Sequence, residues 1–268
     1  MGRKPIAVTV LLSLAILLIF AYAVTGAVYP ERGDDKASDG SLQIDCSHKA
    51  LGYFMACVSG SSGKYKLRVT SGEMVFTYDI DGDGDYEVYP LQMGSGEYKI
   101  QLYKNIEGNK YAEAGLLTLK VTLDDEQAAF LCPNQYVDYS ADSEVVSQAE
   151  RLCGDLDSEE DKFNAVREYV VKNFTYDFVT AVTVKKSTLP DISRCLKKHM
   201  GICQDLAAMT CAMLRSQGVK AQLVIGYAGD NYHAWVNAII DGKNRFFDPT
   251  AEIGGIAKDL TYTVERYY

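Results

Sequence analysis

Histidine is scarce in this chain. Its 268 residues hold three, His48, His199 and His233, and none stands at metal-ligand spacing from another. No Cys-x-x-Cys pair occurs either, so no cysteine signature of a metal site is present. Basic residues are in deficit, 27 Lys+Arg against 36 Asp+Glu, and no basic stripe breaks the net charge of −9. That balance argues against a nucleic-acid partner. Internal repeats and long low-complexity tracts are absent, which excludes a repeat array. What remains is a globular composition, 47% hydrophobic and 24% charged, long enough for one or two domains plus an appendage.

The appendage is N-terminal. Arg3 and Lys4 precede the apolar run Ile6 to Val28, which is long enough to cross a bilayer core of roughly 30 Å. The flank beyond it carries Glu31, Asp34, Asp35 and Asp39, so positive-inside logic leaves the N-terminus in the cytoplasm and exports the rest. Two readings follow for residues 1–28: an uncleaved signal anchor, or a signal peptide cut near Ala21-Tyr22-Ala23 or Thr25-Gly26-Ala27. The length of the run favours the anchor. The first cysteine is Cys46, too distant for lipoprotein processing. The count of seven cysteines is odd, so outside the cytoplasm at least one thiol stays free.

Residues 29–41 read as a polar linker. From Leu42 to about 124, short alternating runs such as Lys64–Val69, Met74–Tyr78, Tyr98–Tyr103 and Leu117–Val121 are separated by Gly-rich breaks. This spacing predicts a small antiparallel β-sandwich. Asp79 to Asp85 begins like an EF-hand loop, but its twelfth position is Pro90 where a bidentate Glu is required, so a turn between strands fits better. Beyond a connector containing Pro133, Ser143–Cys153 and Ser158–Asn173 read as helices, the second capped by Ser158. Leu189 to Met200 predicts a further short helix.

Three residues near the end of the chain carry chemistry. Gln204 to Ser216 has helical periodicity, with an apolar face of Leu206, Met209, Cys211, Met213 and Leu214, and Gly218 stops it. Cys203 therefore sits at a helix N-terminus, where free N–H groups and the macrodipole favour a thiolate and could hold an oxyanion. Tyr232 to Ile240 and Lys243 to Asp248 read as two strands joined by a tight Asp241-Gly242 turn. In that register Ile240 faces Lys243 and Trp235 faces Asp248. His233 and Asp248 then project from one face as diagonal neighbours, about 7–8 Å apart at the backbone. A longer Asp241–Asn244 loop would shift the register and separate them, unless a bulge compensates. Singly, each residue has a bland reading: core cysteine, satisfied core histidine, turn-forming aspartate. Together they compose a nucleophile, its base and the group that orients the base.

The segments Gly201–Met209, Tyr227–Val236 and Phe247–Thr250 resemble the motif blocks of the transglutaminase-like superfamily, over roughly the last half of the chain from near Ser140. With the β-rich segment before it, the chain is similar to a bacterial exported type. The resemblance implies an α+β, papain-like core over residues 140–268, with Cys203 as nucleophile, His233 as general base and Asp248 as its orienting acid. Tyr176 resembles a cleft-lining aromatic. No cofactor is implied. The expected function is an extracytoplasmic thiol enzyme acting on amide bonds of a protein or peptide substrate associated with the cell wall or surface, by transamidation or hydrolysis. Arylamine acetyltransferases share the Cys, His, Asp order, but an export signal separates the chain from cytoplasmic acetyl-coenzyme A. The alternative from another class is a non-catalytic surface binding module with a silent triad.

Overall fold

Alternation of buried and exposed side chains builds the first half. In β4 (Tyr65–Ser71), Tyr65, Leu67 and Val69 point inward, and in β5 (Met74–Ile80) Phe76, Tyr78 and Ile80 do the same. With β7 (Gly96–Glu107) and β8 (Lys110–Val121) they form a four-stranded antiparallel sheet in the order β5-β4-β7-β8. A second antiparallel sheet runs β1 (Lys36–Asp39), β2 (Leu42–Asp45), β3 (Tyr53–Val58) and β6 (Glu87–Pro90). The sheets share one core, and Tyr78 of the first meets Tyr89 of the second edge-on at 5.3 Å. The computed structural model describes residues 26–60, 63–185, 187–256 and 259–268.

Three expectations need restating against this architecture. The apolar run from Ile6 lies outside the described residues except for its last three, Gly26 to Val28. Of these, Ala27 is buried and Val28 packs against Tyr53, Met55 and Cys132. Among the described residues no helix is long and apolar enough to cross a membrane. Within the stretch read as a linker, Lys36–Asp39 forms β1, paired with β2. All four of its residues are exposed, so no alternation marked it. The Asp79–Asp85 segment does join two strands, β5 and β6, but they belong to different sheets, so the turn crosses the sandwich.

The second half is built around a buried helix. Its helices are α1 (Glu144–Cys153), α2 (Glu159–Asn173), α3 (Phe178–Thr183), α4 (Ile192–Lys198), α5 (Cys203–Arg215) and α6 (Pro249–Glu252). Ser158 caps α2 by accepting the Asp161 N–H at 3.0 Å. α5 is enclosed on all sides from Asp205 to Arg215, beyond the single apolar face its periodicity predicts. Ala207, Ala208, Cys211 and Ala212 let neighbours approach closely, and α1, α2, α4 and a sheet surround it. That antiparallel sheet is ordered β13-β12-β11-β14, from β11 (Lys220–Ala228), β12 (Asn231–Ile240), β13 (Lys243–Phe247) and β14 (Tyr262–Tyr267). A two-stranded parallel pair, β9 (Thr175–Tyr176) with β10 (Met200–Gly201), sits before α5.

The two halves are not separated by a gap in packing. One hydrophobic cluster runs from Leu42 to Tyr268. The connector contributes a 3-10 turn, Ala128–Leu131, and the buried Cys132, Val137 and Tyr139. At the junction Tyr136 stacks on Tyr268 at 3.7 Å, Phe76 meets Tyr268 at 5.8 Å, and Gln92 donates to the Tyr267 carbonyl at 2.7 Å. Arg215, fully buried, donates to the main-chain oxygens of Cys132 (2.6 Å), Ala221 (2.8 Å) and Tyr268 (2.6 Å).

Candidate active site

Cys203 is the first residue of α5, and the loop before it is held from two sides. Gly201 pairs with Tyr176 between β10 and β9, and its carbonyl accepts the Asp177 N–H at 3.0 Å. A side chain at Gly201 would strike Cys195 Sγ at 2.7 Å and Asp205 Cβ at 2.9 Å, so only glycine fits. Asp205, in the first turn, accepts the N–H of Ile202 at 3.2 Å and of Asp191 at 3.0 Å. These bonds fix the entry into the helix and leave the Cys203 side chain half-buried at the surface of the core.

His233 and Asp248 come from the hairpin. Ile240 faces Lys243 and Val236 faces Phe247, with Asp241 and Gly242 both at positive φ in the two-residue turn. This register sends His233, Trp235 and Asp248 to one face. The His233 ring lies nearly parallel to Trp235 at 6.3 Å. Asp248 ends the pairing and caps α6, its Oδ1 accepting the Ala251 N–H at 3.1 Å. Its Oδ2 accepts two bonds: from His233 Nε2 at 2.8 Å and from the Tyr262 hydroxyl at 2.6 Å. With Nε2 committed to Asp248, the other ring nitrogen remains, and Cys203 lines the same cavity as His233 and favours its protonated form.

The electrostatics follow from burial and these bonds. Burial of His233 opposes its protonation, but the bonds to Asp248 and Cys203 outweigh it and raise the imidazole to about 9. Burial pushes the Asp248 carboxyl up, while His233, Tyr262 and the Ala251 N–H bring it below the usual carboxylate value. Near neutral pH this favours a carboxylate beside an imidazolium, with the Cys203 sulfur on the wall of the same cavity.

A cavity of about 100 Å³ opens beside Cys203 and His233, walled by Gln204, Tyr232, Tyr136 and Tyr268. Tyr176 is not part of this wall. The Gly255 backbone packs so closely on its ring that a Cβ there would lie 2.8 Å from Cγ. The aromatic walls instead come from the connector (Tyr136), β12 (Tyr232) and Tyr268.

All seven cysteines are free thiols, with no disulfide among them. Burial raises the others, to about 11 at Cys46 and Cys153 and about 12 at Cys132 and Cys211. Cys203 alone is not buried.

Two site residues escape the sequence reading. Asp205 stands three residues after Ile202, the position from which an acidic side chain caps a helix, and that spacing is a usable signal. Tyr262 carries none, since it reaches Asp248 because β14 folds back beside β11. There Gly226, opposite His233, is pressed so tightly that a Cβ would overlap the Thr263 oxygen at 2.0 Å.

Residues 146–249 match the model of the Transglutaminase-like superfamily. The matched segment begins in α1, ends just after Asp248, and contains Cys203, His233 and Asp248. That segment, about two-fifths of the chain, is similar to a transglutaminase-like domain. The uncharacterised protein YebA of Bacillus subtilis (strain 168) is 27% identical over 150 residues, which cover 54% of this chain and 20% of YebA. The chain thus spans about a fifth of that relative's length. Among solved structures, it is similar to a candidate cysteine protease from Cytophaga hutchinsonii (15% identity, TM-score 0.43, 79% of this chain and 83% of the other). It is also similar to the periplasmic domain of TgpA from Pseudomonas aeruginosa bound to ethylmercury (12% identity, TM-score 0.40, 73% and 92%).

Proposed function

We propose that the transglutaminase-like domain is a thiol enzyme that cleaves amide bonds through an acyl-thioester on Cys203. The observation that carries this reading is the His233–Asp248 hydrogen bond beside Cys203, which stands at the start of a buried helix and lines the same cavity as His233. The Cys203 sulfur attacks a carboxamide or peptide carbonyl, forming the C–S bond and placing negative charge on the carbonyl oxygen near the N–H groups of the first turn of α5. His233, an imidazolium near neutral pH, protonates the leaving nitrogen as the C–N bond breaks. Asp248 and Tyr262 hold the ring in place. A primary amine or water then attacks the thioester, His233 takes its proton, and the sulfur is released. The amine gives transamidation and water gives hydrolysis.

The same reading places the domain outside the cytoplasm, on the strength of the apolar run Ile6–Val28, its Arg3 and Lys4 and its acidic flank. Protease added to intact cells should digest the domain. Full protection in intact protoplasts would remove this part of the proposal.

The narrow space beside Cys203 favours a second reading, a surface binding module whose triad is silent. Mass spectrometry separates the two. Full-length protein incubated with a glutamine peptide and a labelled primary amine should carry an acyl adduct on Cys203, absent in Cys203→Ala. Product analysis then assigns transamidation by amine incorporation and hydrolysis by its absence. If Cys203 forms no adduct with any amide probe, the enzyme reading is lost and the binding module takes its place.

A further inference from the structure

Arg194 stands where three aspartates converge on the start of α5. It belongs to α4, and its own N–H is accepted by Asp191 Oδ1 at 2.9 Å, the bond that caps that helix. Its guanidinium reaches two further carboxylates. Nη2 donates to Asp177 Oδ2 at 2.8 Å and to the Thr180 hydroxyl at 3.3 Å, and Nη1 lies 3.8 Å from Asp205 Oδ2. Among the described residues no other Lys or Arg pairs with Asp177 or Asp205.

The two carboxylates that Arg194 joins belong to the residues that hold the approach to Cys203. The Asp177 N–H donates to the Gly201 carbonyl at 3.0 Å, and the Asp205 carboxylate accepts the Ile202 N–H at 3.2 Å. Gly201 and Ile202 are the two residues before Cys203. Each is therefore held by an aspartate, and one guanidinium spans the pair. The planar fork of Arg suits that bridge better than the point charge of Lys. Asp177 is a fixed post, because Thr180 donates its N–H to Oδ1 at 2.9 Å and its hydroxyl to Oδ2 at 2.7 Å.

Asp205 is the member that needs a cation. Both of its oxygens accept main-chain N–H groups, Oδ1 from Asp191 and Oδ2 from Ile202, an arrangement that suits an ionised carboxylate. Burial opposes ionisation and raises Asp205 above the ordinary carboxylate value, against the pull of the two N–H bonds and of Arg194. The other titratable groups that face it are Asp191 and Cys195 from the α4 side and Tyr176 from β9. Asp191 adds repulsion. Burial raises both Cys195 and Tyr176, so near neutral pH neither contributes a charge.

We propose that Arg194 is a positioning residue for Cys203, spanning Asp177 and Asp205 so that the turn carrying the sulfur keeps its place beside His233. The proposal rests on the reading of Cys203 as a nucleophile, but thiol alkylation tests it without turnover. Because the bridge works through an ionised Asp205, its loss should matter most at low pH, where a buried carboxyl without its cation takes up a proton and gives up an acceptor. It should matter little once the pH is high enough to ionise Asp205 unaided.

The experiment follows iodoacetamide labelling of Cys203 by mass spectrometry in the full-length protein between about pH 5.5 and 8.5, each variant as a ratio to the parent at the same pH. Cys203 is the one cysteine that is not buried, so its label is read without removing the others. Arg194→Gln should label about tenfold more slowly at the acid end and within about twofold of the parent at the alkaline end. Arg194→Lys keeps a charge without the fork and should lie between the two, about two- to threefold slow at the acid end. Asp205→Asn should be slow by a constant factor with no pH trend, and adding Arg194→Gln to it should cost nothing more. Lys49→Gln breaks a pair of similar exposure in the first half, Lys49 with Asp35, and should change nothing. Thermal melts of each variant separate slow labelling from loss of the fold. The Arg194 side chain is 36% exposed, so its variants should fold, and Arg194→Lys carries the test should the Gln variant not. Parental rates at every pH in the folded Arg194 variants would overturn the proposal. So would a ratio that stays flat across the pH range, the mark of a merely structural role, or a further loss in the Asp205→Asn background. The predicted pH trend in a protein that never acylates would support the positioning role while removing the proposed enzyme function.

Discussion

The two ends of α5 carry opposite burdens. At its start, Cys203 is half-buried and faces the candidate site: Asp205 fixes the turn, and His233 lines the same cavity. At its end, Arg215 is fully enclosed and touches no substrate space. Among the described residues no carboxylate pairs with it, and three main-chain oxygens from the connector, β11 and Tyr268 satisfy its guanidinium. The helix C-terminus adds negative potential at that point. A cation buried this way is an anchor, since losing it strands three enclosed carbonyl groups. A thiol at the other end can be lost with almost no structural consequence. One rigid element therefore separates function from stability along its length, and mutation should separate them too.

The largest expected effect is at the reactive end. Cys203→Ala should abolish acyl-adduct formation while the melting temperature stays within about 2 °C, since one partly exposed sulfur is removed. A large fall in melting temperature would show that the two ends are not independent. Next comes Arg215→Met, which should destabilise by about 3–5 kcal/mol, the scale for leaving buried partners unpaired. Thermal denaturation should report a melting temperature lower by roughly 10 °C or more. In the fraction that stays folded, the rate of Cys203 alkylation should be unchanged.

Asp248→Asn should lower activity by about 10²–10⁴-fold, because the imidazole loses the carboxylate that orients and charges it. Its pH signature is distinctive. With His233 raised to about 9, the native protein holds a proton that the unfolded chain releases near 6.5. This contribution to stability is complete below about 6.5 and is lost as the pH rises through about 9. Activity that needs the imidazolium should fall over the same upper limb, and in Asp248→Asn that limb should move down toward 6.5. The lowered Asp248 contributes in the opposite sense, present above its ordinary value near 3.8 and lost as the pH falls through its lower native value. The smallest effect belongs to Tyr262→Phe. It removes one bond to a carboxylate that keeps two others, so activity should fall about tenfold, with the pH limb little moved. A loss as large as that of Asp248→Asn would make Tyr262 a full partner in orienting the ring.

What could be read from sequence follows the range of the interactions. The hairpin register needed only the two-residue Asp241-Gly242 turn and strict alternation, and Ile240 does face Lys243. The start of α5 followed from Gly201 and the run of apolar and alanine residues. The alternating strands of the first half were legible where one face is buried, as in β4 and β5. β1 was not, because an all-exposed strand has no pattern. Tyr262 and Arg215 were invisible for a different reason: Tyr262 meets a partner 14 residues away, and two of the three partners of Arg215 lie 53 and 83 residues away. The shared core hid behind a composition change near residues 124–140 that looks like a boundary. Strand content does switch to helix there, but Tyr136, Tyr139 and Cys132 turn inward and join the halves.

The turn that brings His233 and Asp248 together has a consequence for how this hairpin can vary. Side chains on a strand alternate, so facing is a question of odd and even. A slip of the pairing by one residue would send Asp248 to the opposite side of the sheet from His233, however well the hairpin still folded. A slip by two would restore the side but slide the carboxylate about 7 Å along, beyond hydrogen-bonding reach. Neither an odd nor an even slip is silent here. The short turn is in this protein a counting device, and any change that lets the strands re-pair should separate His233 from Asp248.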